Sequence, residues 1–282
     1  AEAVAAVAEQ IWRDKGENAA LVSLARAGTP IGVLIKRYLA FRYNAAVEHY
    51  TISIIRDRGI DRNAMDYILA RRRPGSIQFV DGWTGKGAIQ RQLNAAMEDY
   101  PGVDPSLAVL SDPACVAGKY GTRDDFLIAS SCLNSTISGL LSRTFLRTDI
   151  IGAQDFHGAV FYRELRDQDL TNSFIGAIER RFRVPAADCG EETEPWGAGL
   201  EEVREIGRAF GVDDIHLIKP SIGEATRVLL RRAPWKILVS DRTDQARLGH
   251  LFQLAREKGV PVEEYPLRRY RACGIIRKMA DT

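Results

Sequence analysis

The sequence predicts an α/β protein in two parts, a parallel sheet flanked by helices and then a smaller α/β/α sandwich. Two strand–turn–helix segments, at residues 21–39 and 76–89, predict the first part, which we place at residues 1–183. A polar stretch with prolines and glycines predicts a linker at residues 184–199. Alternating helices and strands predict that residues 200–282 form the sandwich.

The first segment is an apolar strand beginning at Leu21, a short turn, and a helix expected to begin near Pro30. The turn consists of Arg26, Ala27, Gly28 and Thr29. Ligands of parallel α/β sheets collect at the carboxyl ends of the strands, so this turn and the turn of the second segment are expected at one edge of the sheet.

The second segment predicts a phosphate site, because its strand ends at Asp81 and a glycine-rich turn opens a helix. The turn comprises Gly82, Trp83, Thr84, Gly85, Lys86, Gly87 and Ala88. Glycines let the backbone approach an anion, and the first N–H groups of the helix point towards it. The spacing excludes a P-loop and a dinucleotide fingerprint. An ordinary tight turn between strand and helix is the alternative.

Elements of the second part follow from the same patterns. Helices are expected at residues 200–210, 221–232 and 243–258, strands at residues 214–218, 235–240 and 261–265, and a final helical turn after them. In the first part, helical spacing also predicts a helix over residues 169–179, and residues 125–138 are interpreted as a strand, a polar turn and a helix.

The two turns resemble the pyrophosphate loop and the phosphoribosyl pyrophosphate loop of type I phosphoribosyltransferases. Over residues 20–180 the chain also resembles a bacterial family of predicted phosphoribosyltransferases from tellurium-resistance and stress-response operons, some of them labelled StiP-type cysteine proteases. The segments that resemble this family are residues 25–30, 49–59, 80–87 and 132–136.

The resemblance implies a role for each turn. The turn from Arg26 to Thr29 would bind pyrophosphate, Asp81 would hold the ribose hydroxyls, and the amides from Thr84 to Ala88 with Lys86 would hold the 5′-phosphate. Asp81, Arg26 and Lys86 are the candidate catalytic residues. Mg²⁺ is expected as a cofactor carried mainly by substrate oxygens. Arg56, Asp57 and Arg58 would form either a mobile loop over pyrophosphate or an ionic turn before a helix.

The segment around Cys132 has three interpretations. Ser131, Cys132, Asn134 and Ser135 could line a pocket for the base, since hydroxyls and amides both donate and accept. Cys132 could be a buried apolar residue, which we favour. It could also be the nucleophile of a protease with His157 and Asp155.

Charge separates the two parts of the chain, whose formal net charge is +2. From Ile215 onwards there are 14 Lys and Arg against 7 Asp and Glu, or +7, whereas the first 214 residues carry −5. A basic C-terminal part suggests RNA as a partner, with a solvated basic surface as the alternative.

The second part also resembles the RNA-binding domain of pelota and of ribosomal proteins that bind kink-turns. Residues 218–227, 235–241, 257–262 and 271–274 carry this resemblance. It implies RNA contacts at the turn before the second helix of this part, from Lys219, Gly223, Glu224 and Arg227.

Composition predicts a cytoplasmic protein. No apolar run approaches the ~18 residues of a membrane helix, and the four cysteines form no Cys-x-x-Cys pair. The histidines show no metal-ligand spacing, so we expect no protein-held metal. The start at Ala1 without Met suggests an N-terminal truncation.

Together these observations predict a phosphoribosyltransferase-like enzyme that forms or cleaves an N-glycosidic bond to a base and carries an RNA-binding module. Its expected ligands are phosphoribosyl pyrophosphate or a nucleotide. A cysteine protease using Cys132 and a non-catalytic RNA-binding protein are the alternatives.

Overall fold

A computed structural model of the chain describes residues 1–55, 57–133, 135–185 and 194–277. Of the predicted linker, residues 186–193 lie outside this range, as do Arg56 and Asn134.

The first unit contains seven strands and six helices within the described residues. In chain order they are α1 (Glu2–Lys15), β1 (Ala20–Leu24), α2 (Thr29–Tyr43), β2 (Glu48–Ile52), β3 (Ile54–Ile55), β4 (Gly59–Ile60), α3 (Arg62–Leu69), β5 (Ile77–Trp83), α4 (Ala88–Met97), β6 (Leu107–Ser111), β7 (Lys119–Thr122), α5 (Ala129–Cys132) and α6 (Thr171–Glu179).

Five of these strands form the predicted parallel sheet, in the order β2-β1-β5-β6-β7. Helices cover both faces, as an all-parallel sheet requires. One face packs against α1, α2 and α6 through residues such as Ile11, Leu34 and Ile175. The other packs against α3 and α4 through Met65 and Leu93. Because β1 and β5 are neighbours, the two predicted turns lie side by side.

The second unit is the predicted smaller α/β/α sandwich. Its elements are α7 (Ala198–Phe210), β8 (Ile218–Pro220), α8 (Ile222–Arg231), β9 (Pro234–Val239), α9 (Gln245–Glu257), β10 (Val262–Glu264) and β11 (Ala272–Ile276). The sheet order is β10-β9-β11-β8, with β11 antiparallel to both of its neighbours. Helices α8 and α9 cover one face and α7 covers the other.

Three element predictions were wrong. The expected final helical turn is β11, a strand buried on both faces, where Gly274 lets Val228 of α8 approach the sheet. The strand expected at residues 214–218 is instead a 3-10 turn, Ile215–Leu217, ahead of β8. The strand expected from residue 125 is not formed, and short helical turns at Ala129–Cys132 and Ser135–Ile137 replace the longer helix.

Within the described ranges, the longest helices fall short of the length and apolar character needed to cross a membrane.

Candidate functional site

A cleft of about 740 Å³ lies between the carboxyl ends of the parallel strands and the second unit. The first unit contributes Ala27, Asp81, residues 83–90, Leu107, Ser131 and Arg143. The second contributes Lys219, Pro220, Glu224, Arg227, Val228, Arg231 and Arg232. The volume is in the range that holds a nucleotide-sized ligand.

The two predicted turns touch at the base of this cleft. A Cβ on Gly28 would lie 2.5 Å from the carbonyl oxygen of Val80 and 3.1 Å from Cα of Asp81. Only glycine permits this approach, because the obstructing atoms belong to the backbone of β5. Gly28 therefore sets the position of the first turn relative to Asp81. The hydroxyl of Thr29, at the start of α2, lies 3.3 Å from that of Thr51.

The glycine-rich turn presents the start of α4 to the cleft. Gly87 adopts φ +69°, a left-handed conformation that favours glycine, and as the N-cap residue it has no side chain with which to cap the helix. The first residues of α4, from Ala88 to Gln90, line the cleft. A helix N-terminus of this kind attracts an anion through its N–H groups and dipole.

Thr84 anchors the turn instead of facing the cleft with its side chain. Its hydroxyl donates to the carboxylate of Asp112, and its N–H donates to the carbonyl oxygen of Ser111 at 3.0 Å. Asp112 is buried and also accepts from the N–H groups of Val116 and Ala117 and from Arg123. The predicted contact from Thr84 to phosphate is thus replaced by an internal anchor.

Asp81 is the carboxylate of the first unit in the cleft. It is half-buried in β5, two residues before the strand ends at Trp83, and accepts a hydrogen bond of 2.8 Å from the N–H of Gly82. Burial raises the pKa of Asp81 to about 6, while the Gly82 bond and the positive charge of Arg227 act in the opposite direction. The group therefore changes charge close to neutral pH.

Lys86 has a different role from the predicted one. Its ammonium donates to the carbonyl oxygens of Ile215 at 2.5 Å and Ile218 at 2.9 Å in the second unit. These bonds hold the Lys86 ammonium at the contact between the units, away from the place where a phosphate would bind at the start of α4. Gly85 makes a second such contact, because its carbonyl oxygen accepts from the Tyr270 hydroxyl at 2.6 Å.

Arg26 lies within a group of arginines. It is half-buried and donates to the carbonyl oxygen of Leu141 at 2.5 Å. Burial lowers the pKa of its guanidinium, and the nearby charges of Arg231, Arg143 and Arg227 lower it further. Arg143, Arg231 and Arg232 were not predicted from the sequence.

Most of the residues predicted to contact RNA lie in the cleft between the two units. Lys219, Glu224 and Arg227 line the cleft, and Arg227 donates to the Glu224 carboxylate at 2.6 Å. Gly223 is buried under the indole of Trp83, which a Cβ at Gly223 would overlap. RNA therefore cannot contact Gly223 while the units are docked, which corrects that prediction. Trp83 packs between the units and lines the cleft.

A buried carboxylate fixes this docking. Asp125 accepts from the N–H of Ile222, the first residue of α8, at 2.9 Å and from the N–H of Arg271 at 2.9 Å. Burial raises the pKa of Asp125 to about 7, against the effect of these hydrogen bonds. The first unit thus caps the helix that bears Glu224 and Arg227.

Among the described residues of the predicted base pocket, Ser131 is the one that lines the cleft. Its hydroxyl lies beside Gly82 and has no hydrogen-bond partner in the part of the chain that the structure describes. Ser135 is buried in a 3-10 turn. Asn134 lies outside the described residues, and Cys132 is fully buried, as we favoured.

The cysteine environment does not favour a nucleophile at Cys132. Its thiol donates to the carbonyl oxygen of Gly223 at 3.5 Å, and burial raises its pKa to about 11. His157 instead contacts the Ser53 hydroxyl at 2.9 Å, and the Asp155 carboxylate accepts from the N–H of Gly152. The described bonds therefore do not assemble the predicted Cys–His–Asp group.

In the part of the chain that the structure describes, neither the predicted flexible loop nor a metal cluster lies at the cleft. Asp57 and Arg58 form the exposed turn between β3 and β4 and are not among the lining residues, and Arg56 lies outside the described range. Over the described residues, no three His, Cys, Asp or Glu side chains group as metal ligands.

Comparison with known proteins identifies relatives of both units. The family described as tellurite-like stress resistance cysteine protease StiP matches residues 1–179, and the family described as PELOTA RNA binding domain matches residues 197–278. A protein of Acinetobacter baylyi named cysteine protease StiP is 36% identical over 298 residues, covering 99% of this chain and 77% of its own.

Two solved structures share distant similarity. The Helicobacter pylori xanthine-guanine-hypoxanthine phosphoribosyltransferase is 18% identical, covers 40% of this chain and 74% of its own, and has a TM-score of 0.29. A Bacillus anthracis hypoxanthine-guanine phosphoribosyltransferase is 15% identical, covers 56% of this chain and 90% of its own, and has a TM-score of 0.33. Similarities at these TM-scores do not establish a shared activity.

Proposed function

The chain belongs to the StiP family, as the sequence motifs predicted, and we propose that its cleft binds a phosphorylated ribose and forms or cleaves an N-glycosidic bond to a base. The ligand would be phosphoribosyl pyrophosphate or a nucleotide. The observation that carries this proposal is the placement of Asp81 in one cleft with the uncapped start of α4. A carboxylate beside an anion site suits a sugar that bears a phosphate.

The proposed reaction needs positioning and electrostatics more than covalent chemistry. The N–H groups at the start of α4 would hold the 5′-phosphate, and Asp81 would accept from the ribose hydroxyls. The bond from C1′ to the pyrophosphate oxygen breaks with its electron pair on pyrophosphate, the lone pair of a base nitrogen forms the new bond, and the proton of that nitrogen is released to water. Arg26 would stabilise the departing charge.

The carboxylates of the cleft suit Mg²⁺ that arrives with the substrate. Among the described lining residues, Asp81 and Glu224 are acidic, and Glu224 is already bonded to Arg227. One carboxylate is too few for a protein-made site, but it fits an ion that keeps phosphate oxygens and waters as most of its ligands. Asp81 would hold the ion, which would offset phosphate charge. Magnesium is part of the proposal.

Turnover tests this proposal. We expect pyrophosphate release from phosphoribosyl pyrophosphate and Mg²⁺ in the presence of an accepting nucleobase, and a rate at least about 100-fold lower in Asp81→Asn. Asp81 must be ionised to accept from hydroxyls and to hold the cation. Since the pKa of Asp81 is about 6, the rate of the unaltered protein should rise between about pH 5 and 7. The rate of Asp81→Asn should show no such rise.

Equal rates of base-dependent pyrophosphate release by the unaltered protein and by Asp81→Asn would contradict the role of Asp81. A peptide-cleavage assay that includes Asp81→Asn addresses the protease that the name of the Acinetobacter relative suggests. A protease would need Cys132 and not Asp81. Peptide cleavage that persists in Asp81→Asn and disappears in Cys132→Ala would favour that activity. The burial and raised pKa of the Cys132 thiol oppose it.

The match to the PELOTA family brings RNA binding as a second candidate function. RNA binding would depend on Lys219 and Arg227. Both residues line the cleft, so an RNA strand must be narrow enough to enter the cleft to reach them. A gel-shift titration with single-stranded RNA and a kink-turn RNA, using Lys219→Gln, tests it. Binding of the kink-turn RNA that is lost in this variant would support RNA as a partner.

A further inference from the structure

The wall that the second unit contributes to the cleft is strongly cationic. Arg227 and Arg231 are four residues apart on α8, and therefore project from one face of the helix. Arg232 and Lys219 line the cleft beside them. Counting both units, the charged lining residues comprise six Lys and Arg and two carboxylates. A cleft with this excess of positive charge attracts an anion with more than one charge.

Arg227 is held in place by a partner on its own helix. Its guanidinium donates to the Glu224 carboxylate at 2.6 Å, and both side chains are only partly exposed. Arg231 donates to the carbonyl oxygen of Cys132 at 3.4 Å. Arg26 is not among the lining residues of the cleft, but the charges of Arg227 and Arg231 help to lower its pKa, so the three guanidinium groups are close enough to interact. A planar guanidinium group can donate two parallel hydrogen bonds to two oxygens of one phosphate.

The edge at which this unit would meet a folded RNA is closed by the first unit. The N–H of Ile222 at the start of α8 is bonded to Asp125, and Gly223 is covered by Trp83. The Ile222 N–H is therefore not available to an RNA phosphate. What α8 presents to the cleft is its side, with Arg227 and Arg231, rather than its N-terminus.

We propose that Arg227 and Arg231 bind, together with Arg26, the pyrophosphate end of the ligand, so that the second unit forms one half of the active site. This assignment rests on the proposed function, because it specifies how the same cleft holds its ligand. The start of α4 takes the 5′-phosphate, and the arginines of the two units take the diphosphate. Glu224 is a positioning residue for Arg227.

Titration calorimetry with inorganic pyrophosphate and with ribose 5-phosphate separates these two anion positions. For each of Arg227→Gln and Arg231→Gln in the full chain, we expect about tenfold or greater weakening of pyrophosphate binding. Ribose 5-phosphate should bind within about twofold of the unaltered protein, because it lacks the diphosphate. Glu224→Gln keeps an oxygen that can accept from the Arg227 guanidinium but removes a negative charge from the wall, and should therefore strengthen pyrophosphate binding by a few-fold.

A matched control carries the same charge change elsewhere in the second unit. Arg204 and Arg208 are exposed on α7 and both pair with Glu201, so Arg204→Gln and Arg208→Gln, each made singly, should leave both affinities unchanged. Equal thermal unfolding midpoints show that every variant is folded. Arg231→Lys keeps the charge but not the planar fork, and should lie between the unaltered protein and Arg231→Gln.

Several results would overturn the assignment. Unchanged pyrophosphate affinity in both Arg227→Gln and Arg231→Gln would overturn the role of the two arginines. The proposed function would still stand in that case if ribose 5-phosphate binding depends on Asp81. Failure of the unaltered protein to bind either compound would overturn the proposed function with it. Loss of RNA binding in Arg227→Gln and Arg231→Gln with pyrophosphate binding intact would assign this wall to RNA.

Discussion

Replacing Asp125 with Ala is expected to destabilise the protein by about 3 kcal/mol or more and to separate the two units. The Asp125 carboxylate is fully buried and accepts from the N–H groups of Ile222 and Arg271, which lie at two points of the second unit. Without it, two buried donors lose their acceptor. Urea unfolding measures the loss, and binding at the cleft should weaken because α8 forms one of its walls.

Asp124→Ala is the matched control. The Asp124 carboxylate is 64% exposed and pairs with Arg271 at 3.1 Å, so its removal should cost less than about 1 kcal/mol. Similar losses in the two variants would show that Asp125 does not fix the docking.

The same carboxyl should make stability depend on pH. Its pKa rises from 3.8 in the unfolded chain to about 7 in the folded protein. Its contribution to stability is therefore complete below about pH 4 and is lost as the pH rises through 7. Asp125→Asn cannot ionise, so the stability difference between unaltered protein and variant should shrink or reverse as the pH rises across this interval.

Gly28→Ala is expected to destabilise the protein by about 3 kcal/mol and to abolish ligand binding at the cleft. The new Cβ would meet the Val80 carbonyl oxygen at 2.5 Å and the Leu24 carbonyl oxygen at 3.0 Å. Both atoms are backbone of the central strands, so relief requires the first turn to move away from Asp81. Chemical unfolding and titration with phosphoribosyl pyrophosphate measure the two effects.

Gly75→Ala provides the comparison for that variant. A Cβ at Gly75 meets nothing within 4 Å, and its φ is not in the left-handed region, so stability and binding should stay close to those of the unaltered protein. Unimpaired binding by Gly28→Ala would mean that the contact between the turns does not shape the site.

Local signals predicted most of the fold. The segments around Gly28 and Gly87 combine an apolar strand, a glycine turn and a helix start, and each signal lies within about 15 residues. Strand β11 could not be recognised in the same way. Residues 272–276 are apolar or small and buried on both sides of the sheet, so the alternation that marks a half-buried strand is missing.

The site was predicted only where its residues are close in sequence. Asp81 and the start of α4 follow from one motif, but the arginine wall depends on how α8 docks. Lys86 shows the limit clearly, because its carbonyl partner in Ile215 lies 129 residues away. A basic C-terminal part suggests phosphate contacts, yet composition does not reveal whether the phosphates belong to RNA or to a small ligand in the cleft.

The most direct test of a ribose-phosphate site is a calorimetric titration of phosphoribosyl pyrophosphate with Mg²⁺ into the full chain and into Asp81→Asn. We predict saturable binding with one ligand per chain and a dissociation constant in the micromolar range, weakened at least about tenfold in the variant. No binding by the unaltered protein, or equal affinity of both proteins, would contradict a site built around Asp81 and the start of α4.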